Sequence, residues 1–271
     1  MHAESMLNKI TYYSLWFLNA LFRAGLRYSL GRARRDVLLR KMNYRSLPVL
    51  FGERVNLEFL TTLPWGLYLS TVDRSLHVKR IDPSTWHETE VYPWVDLEEG
   101  DVAFDVGAHH GWYTLYFSKR VGENGCVVAV EPNPDNIRFV RRNIKLNNLK
   151  NVKLLPVALS DQDGETTLFV GRHSGGHTIM SDTRRGNMTV QTRRLDTLLS
   201  MFNEVELLKM DIEAAELMVL QASRQIRKVR RYIVEVHREH HFEPLTQLFE
   251  ENGFRVRIIA ENRLVACARR D

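Results

Sequence analysis

At 271 residues, 44% hydrophobic and 26% charged, with 15 glycines and 8 prolines scattered along it, the chain has a globular composition. That balance excludes disordered, collagen-like and repeat architectures. The net charge of +5 is unevenly held: residues 1–54 carry ten Lys or Arg against three acids, +7, which leaves −2 on the rest; such a body argues against a cleft built to neutralise nucleic-acid phosphates.

Residues 1–54 read as a basic, aromatic-rich helical segment. From Ile10 to Phe22 the chain is nearly continuous apolar and aromatic, and Asn19, Arg23 and Arg27 then fall on one helical face. Thirteen helical residues cover about 20 Å, short of the roughly 30 Å hydrocarbon core, so a spanning helix is not expected. Arg follows the apolar stretch and no small-residue cleavage site is evident, which speaks against a secretory signal. Two readings stand side by side. Residues 10–35 lie on a membrane surface at its cytoplasmic face, aromatics in the headgroup boundary and arginines on anionic lipid. Alternatively the helix packs on the catalytic domain or on a partner subunit. Cys126 and Cys267 sit in apolar runs at no metal-type spacing; they read as buried residues of a protein in the reducing cytoplasm.

Residues 55–98 alternate short apolar runs with turn residues and predict two or three antecedent strands and a helix. Residues 99–271 predict the catalytic domain. Strands are expected over 102–106, 127–130 and 152–157, with helices over 112–121 and 135–146, the second presenting Ile137, Val140 and Ile144. This alternation implies a parallel sheet covered on both faces. Residues 165–194 break it: strands over 167–170 and 188–192 flank a polar loop, 172–186, suited to substrate contacts. The alternation resumes with a strand over 206–211, a helix over 214–222 and a strand over 232–236. A helix carrying Phe242, Leu245, Leu248 and Phe249 ends at Gly253. The final strands, 255–259 and 264–268, are joined by so short a hairpin that the last must run antiparallel to its neighbour.

Asp105-Val106-Gly107-Ala108-His109-His110-Gly111 forms a strand end, a turn and a helix start. Gly107 permits unusual dihedrals and Gly111 permits close approach of a ligand. Glu131 ends the next strand, 20 residues after Gly111, where a doubly wound sheet places the carboxylate that grips both ribose hydroxyls. The glycine spacing is not that of a dinucleotide loop, and Asp105 sits where a pyrophosphate would be repelled. A cofactor with a cationic sulfonium and ammonium and no phosphate, S-adenosyl-L-methionine, suits an acid there. Ser160-Asp161, at the next loop, offers an acceptor to the adenine amino group, or simply makes a turn.

These residues resemble the FkbM-type methyltransferase family over roughly 90–238. The likeness rests on Phe104-Asp105-Val106-Gly107-Ala108, Gly111-Trp112-Tyr113-Thr114, Glu131-Pro132-Asn133-Pro134, Asn143 to Asn147 and Ala158-Leu159-Ser160-Asp161. Leu208-Lys209-Met210-Asp211-Ile212-Glu213 with Glu216, and the strand end Val234-Glu235-Val236, complete it. The resemblance implies a Rossmann-like class I methyltransferase fold, a mostly parallel seven-stranded sheet with one reversed C-terminal strand. It implies cofactor contacts at Asp105, Gly107, Ala108, Gly111, Glu131, Asn133, Ser160 and Asp161. It also implies transfer of a methyl group to a hydroxyl of a glycan, lipid-linked sugar or secondary metabolite. The family's asparagine in the glycine loop is replaced here by His109 or its neighbour, and its glycine after the Asp-x-Glu by Ala214.

For the chemistry, the acids and bases at the strand ends are Asp211, Glu235 and His237. Lys209, two residues before Asp211, shares its sheet face and can hold it anionic. Asp211 or His237 is expected to take the hydroxyl proton; the alternatives are a helix cap for Asp211 and a solvated loop for His237. His173 and His177, in the polar loop, read as surface residues. A divalent metal on Asp211, Glu235 and His237 is a less favoured option, for no compact ligand motif supports it. A nucleic-acid substrate is disfavoured by the acids at this edge, and a non-catalytic, cofactor-binding role in a complex is a further alternative.

Overall fold

The computed structural model describes residues 46–49, 58–63, 66–71, 91–171, 174–181 and 183–268. The expected helix over 10–35 lies outside them, as do residues 72–90 of the stretch expected to hold a linking helix. Among the described residues no helix is long and apolar enough to cross a membrane. Strands β1 (Ser46–Val49), β2 (Glu58–Thr62) and β3 (Tyr68–Thr71) form a small antiparallel sheet; β2 and β3 fall in the stretch expected to hold antecedent strands, whereas β1 lies within residues 1–54, read from sequence as helical.

The main sheet has seven strands: β4 (Val102–Val106), β5 (Cys126–Val130), β6 (Val152–Leu155), β10 (Val205–Met210), β11 (Val229–Glu235), β12 (Phe254–Ala260) and β13 (Arg263–Ala268). Their order is β12-β13-β11-β10-β4-β5-β6. β4, β5, β6, β10 and β11 run parallel, while β13 is wedged antiparallel between β11 and β12. The two-residue link Glu261-Asn262 dictates that reversal, since a parallel neighbour would need a long crossover. A seven-stranded sheet with this one reversed strand is the class I methyltransferase arrangement that the family resemblance implied.

Helices α1 (Trp112–Val121), α2 (Pro134–Leu146), α3 (Leu195–Leu199), α4 (Glu216–Gln221) and α5 (Phe242–Glu251) flank the sheets. Strand alternation sorts the core into two layers. Phe104, Val106, Leu208, Met210, Tyr232 and Val234 face Phe249 and Phe254. Ala103, Leu207, Ile233 and Val265 face Leu115, Phe117 and Val121 of α1. Each fully buried large side chain contributes about 1.5–3 kcal/mol. The Tyr232 hydroxyl, the one polar atom of its aromatic cluster, donates to the Ile226 carbonyl at 2.9 Å. Cys126 is half-buried.

Several element boundaries depart from expectation for identifiable reasons. The strand expected to reach residue 157 stops at Leu155, because Pro156 has no N–H for the ladder. The chain then leaves the main sheet: β7 (Ala158–Ser160), β8 (Gly164–Phe169) and β9 (Asn187–Arg194) make a separate three-stranded sheet. α4 begins at Glu216 rather than at residue 214, because Glu213 and Ala214 hold φ of 54° and 80°.

α2 is fixed at both ends by the sequence. Asn133 caps it, its side chain accepting from the Asp135 N–H at 2.8 Å, and Pro134 occupies the first turn, where no N–H is missed. Its inner face buries Ile137, Phe139 and Val140, and also the polar Asn143. The Asn143 amide receives the Ser70 N–H at 2.7 Å and donates to the carbonyls of Ser70 and His110 at 3.0 and 2.7 Å. One side chain therefore ties the small sheet to the loop that follows β4. Asn143→Ala removes these three buried hydrogen bonds and is expected to cost about 2–4 kcal/mol. Urea unfolding followed by circular dichroism measures this; a loss below 1 kcal/mol contradicts the assigned role.

Candidate active site

The candidate side chains Glu131, Asp211, Glu235 and His237 lie at or just beyond the C-terminal ends of the parallel strands, where a doubly wound sheet opens its crevice. After β4 the chain turns sharply, the N–H groups of Gly107 and Ala108 both donating to the Val130 carbonyl at 2.9 and 3.0 Å. Gly107 holds φ +80°, and a Cβ there would stand 1.8 Å from the Asp211 carbonyl oxygen. The close approach this glycine permits is thus between two strand tips. Gly111 is required for its φ of +88°, as the residue preceding α1, and a Cβ there would meet only ordinary contacts.

Glu131 directly follows β5, with only 4% of its surface exposed. Its Oε2 accepts the His109 N–H at 2.8 Å, and its Oε1 accepts from the Asn133 N–H at 2.9 Å and from Asn136 Nδ2 at 3.3 Å. Burial raises its pKa to about 7, against the pull of those three donors. Asp105 is also buried, at 1% exposure, and lies behind the loop rather than on the cavity wall. Thr114 donates to its Oδ2 at 2.6 Å, while Oδ1 has no hydrogen bond and faces Lys209 Nζ at 4.0 Å. Burial pushes the Asp105 pKa up, with Lys209 and Thr114 opposing.

A cavity runs between Gly107, Glu131, Asp211, Glu235 and His237, and residues Gly175, His177 and Ile179 of the polar loop also line it. That loop is latched by three bonds. Ser174 Oγ meets His109 Nε2 at 2.8 Å, Asn136 Nδ2 donates to the Ser174 carbonyl at 2.8 Å, and Thr178 Oγ1 donates to the Glu213 carbonyl at 2.7 Å. His177, read from sequence as a surface residue, is on the cavity wall; His173 lies outside the described residues.

Other expected residues stand off the wall. Asn133 uses its side chain on the α2 cap and its N–H on Glu131. Ser160 Oγ donates to Asp161 Oδ1 at 3.0 Å, the local turn contact, and neither residue lines the cavity, nor does Ala108.

At the far end Lys209 Nζ reaches Asp211 Oδ2 at 3.2 Å, as their shared sheet face predicts. Burial works against ionisation of Asp211, but Lys209 and then His237 hold its pKa below the usual value. Asp211 is no helix cap, since α4 starts five residues later with Ala215 at its cap position. Glu235 has both oxygens engaged, Oε1 by Asn262 at 2.8 Å and Oε2 by Arg263 at 3.0 Å. His237 is not solvated: its side chain is 19% exposed and surrounded by acids. Nδ1 lies 2.9 Å from Glu216 Oε1, and Nε2 lies 3.5 Å from both Asp211 Oδ1 and Glu213 Oε1. Burial alone would lower its pKa, but Glu213, Glu216 and Asp211 raise it to about 11.

Sequence reasoning quoted Glu213 and Glu216 only among the residues of the family resemblance and gave them no role in the site. The signal that could have found them is the Asp-x-Glu-x-x-Glu spacing at a strand end. Glu216 is wholly buried and its Oε1 also accepts the N–H groups of Ile212 and Ala214 at 3.1 and 3.3 Å. The turn that permits this puts Ala214 at φ +80°, a left-handed conformation that costs a residue with a Cβ roughly 1–2 kcal/mol. This is the position where the resembling family has glycine.

Replacing Gly107 by Ala drives a methyl group into the Asp211 carbonyl and is expected to destabilise the fold by more than about 2 kcal/mol. Thermal melts of the variant read it directly; an unchanged midpoint contradicts the close approach of the two strand tips.

The Methyltransferase FkbM domain family matches residues 105–256, more than half of the chain. No curated protein matches it. Among solved structures, methyltransferase FkbM from Methylobacillus flagellatus KT is similar at 15% identity and TM-score 0.48, covering 69% of this chain and 51% of that one. A SAM-dependent methyltransferase from Aquifex aeolicus shows 19% identity and TM-score 0.40 over 72% of this chain and 96% of its own. M. jannaschii TYW2 in complex with AdoMet shows 18% identity and TM-score 0.43, over 81% and 88%. With the family match covering the glycine loop, Glu131 and the Asp211–His237 edge, the chain belongs to the FkbM family of S-adenosylmethionine-dependent methyltransferases.

Proposed function

We propose that this protein methylates a hydroxyl oxygen, and that the acceptor docks against Asp211, Glu213 and His237. The observation that carries this reading is that these three residues and Glu131 line one cavity. Bound S-adenosylmethionine supplies a methyl group on a cationic sulfur, already activated for in-line displacement. Glu131 keeps both carboxylate oxygens anchored by N–H donors, which leaves further lone pairs for the two ribose hydroxyls. Asp105, buried behind the loop, places a carboxylate rather than a phosphate-binding group there, which opposes a pyrophosphate.

The cluster at the strand tips does the acid–base work. His237 already carries a proton among three carboxylates, so the acceptor's proton passes to a carboxylate, Asp211 or Glu213. Alignment of the acceptor can contribute about 7–11 kcal/mol, and proton uptake about 10²- to 10⁴-fold in rate. The acceptor class we favour is a glycan, a lipid-linked sugar or a secondary metabolite. Four carboxylates at this edge, Asp211, Glu213, Glu216 and Glu235, disfavour a nucleic-acid backbone.

Incubation with radiolabelled S-adenosylmethionine and lipid, glycan, small-molecule and RNA fractions tests the acceptor class. Label in an alkali-stable ether of one of the first three supports the reading, and label in RNA or in no fraction overturns it. With the acceptor in hand, Asp211→Asn is expected to slow transfer about 10²- to 10⁴-fold with little change in cofactor affinity. Cofactor affinity is expected to rise with pH through about 7, as Glu131 ionises and becomes the better acceptor of ribose hydroxyls. Calorimetry between pH 5.5 and 8.5 on the order of half-unit steps reads the dependence, and Glu131→Gln should flatten it. An affinity that falls over this range removes Glu131 from the ribose.

A further inference from the structure

The cluster beside the proposed methyl-acceptor position has a geometry that a proton alone does not account for. A charge-assisted N–H···O bond closes to about 2.7–2.9 Å, and His237 Nδ1 makes such a bond with Glu216 at 2.9 Å. Its other nitrogen does not: Nε2 stands 3.5 Å from Asp211 Oδ1 and 3.5 Å from Glu213 Oε1, equidistant between two carboxylates. One ligand atom from each of these three residues falls within 4.8 Å of the others. Ligands held about 2.0–2.2 Å from a shared cation at right or tetrahedral angles stand roughly 3.0–3.5 Å apart.

Two further observations point the same way. Glu216, wholly buried, fixes the ring through Nδ1, the carboxylate–histidine arrangement that orients a metal-ligating imidazole. Its second oxygen, Oε2, is buried beside the cluster without a hydrogen bond. Lys209 engages only Oδ2 of Asp211 and leaves Oδ1 turned toward His237. The nearby Glu235, the carboxylate that the sequence suggested for a metal, has both oxygens taken by Asn262 and Arg263.

We propose that Asp211, Glu213 and His237 form a binding site for one divalent cation of the Mg2+ or Mn2+ type, at the acceptor end of the cavity. Two carboxylate oxygens and one imidazole nitrogen suit such an ion, and their 19–32% exposure leaves coordination positions open to solvent or to an acceptor oxygen. The inference rests on the acceptor-docking reading of the same cluster and deepens it; the cation would take the place of the proton on His237 Nε2, which is released on binding. A hydroxyl on such a cation would lose its proton more readily than one on carboxylates alone.

Titration of the cofactor-free, chelator-treated protein with Mn2+, followed by electron paramagnetic resonance and calorimetry, tests the site without any acceptor. One Mn2+ per chain is expected, with a dissociation constant below about 1 mM. Glu213→Gln, on the exposed side of the cluster, and His237→Ala should each weaken it at least about tenfold. Glu235→Gln should leave it unchanged. Absence of Mn2+ binding at several millimolar, or equal binding by the Glu213 and His237 variants, overturns the proposal. S-adenosylmethionine binding measured on the same preparation separates the two readings. If the cofactor binds and Mn2+ does not, only the cation site fails; if neither binds, the cofactor-pocket reading falls as well.

Discussion

The site depends on how buried carboxylates are partnered at one edge of the sheet. Asp105, Glu131 and Glu216 are each less than 5% exposed, and an isolated charge in such a place would be strongly disfavoured. Lys209 is the pivot. It lies between Asp105 on β4 and Asp211 beyond β10, with its charge over the Tyr113 ring, and the parallel register that pairs Lys209 with Asp105 puts it there. Glu131 has no such cation and relies on N–H donors from the glycine loop and the start of α2; burial raises its pKa and that of Asp105, whereas Lys209 together with His237 holds that of Asp211 down. A pocket so arranged favours a positively charged ligand and penalises a phosphorylated one.

The same constraint shapes the backbone. Carbonyl and carboxylate groups converge where the tips of β4 and β10 nearly touch, and only a glycine at 107 allows it. Wrapping residues 211–215 around the Glu216 carboxylate forces two successive residues into the left-handed region, and α4 starts late as a result. Strain of this kind persists where the surroundings over-determine it, and here the buried Glu216 is the anchor. The three latch bonds of the polar loop connect this turn to the His109 and Asn136 side of the cavity, so both ends of the pocket share one cover.

Much of this was legible in the sequence. The parallel strands, α1, α2 and the reversed last strand follow from periodicity and a two-residue link, and the positions of Gly107 and Glu131 follow from the spacing of strand ends. What escaped has physical causes. Pro156 ends β6 early, and the short β7 has too few residues to show a period. Glu213 and Glu216 look like ordinary first-turn acids until positive φ values turn the chain and aim them at His237. Glu235 looked available because its partners, Asn262 and Arg263, come from the hairpin beyond β12. Asn143 looked like one polar residue on an amphipathic helix, whereas its partners lie 73 and 33 residues away.

The central claim is that buried acids at the tips of β4 and β5 select a sulfonium cofactor over a dinucleotide. Parallel calorimetric titrations with S-adenosylmethionine and with NADH test it most directly. The account predicts saturable binding of the first and none of the second, with the first lost when Asp105 and Glu131 are both neutralised. Tight NADH uptake, or cofactor affinity undiminished in the doubly neutralised protein, would contradict it.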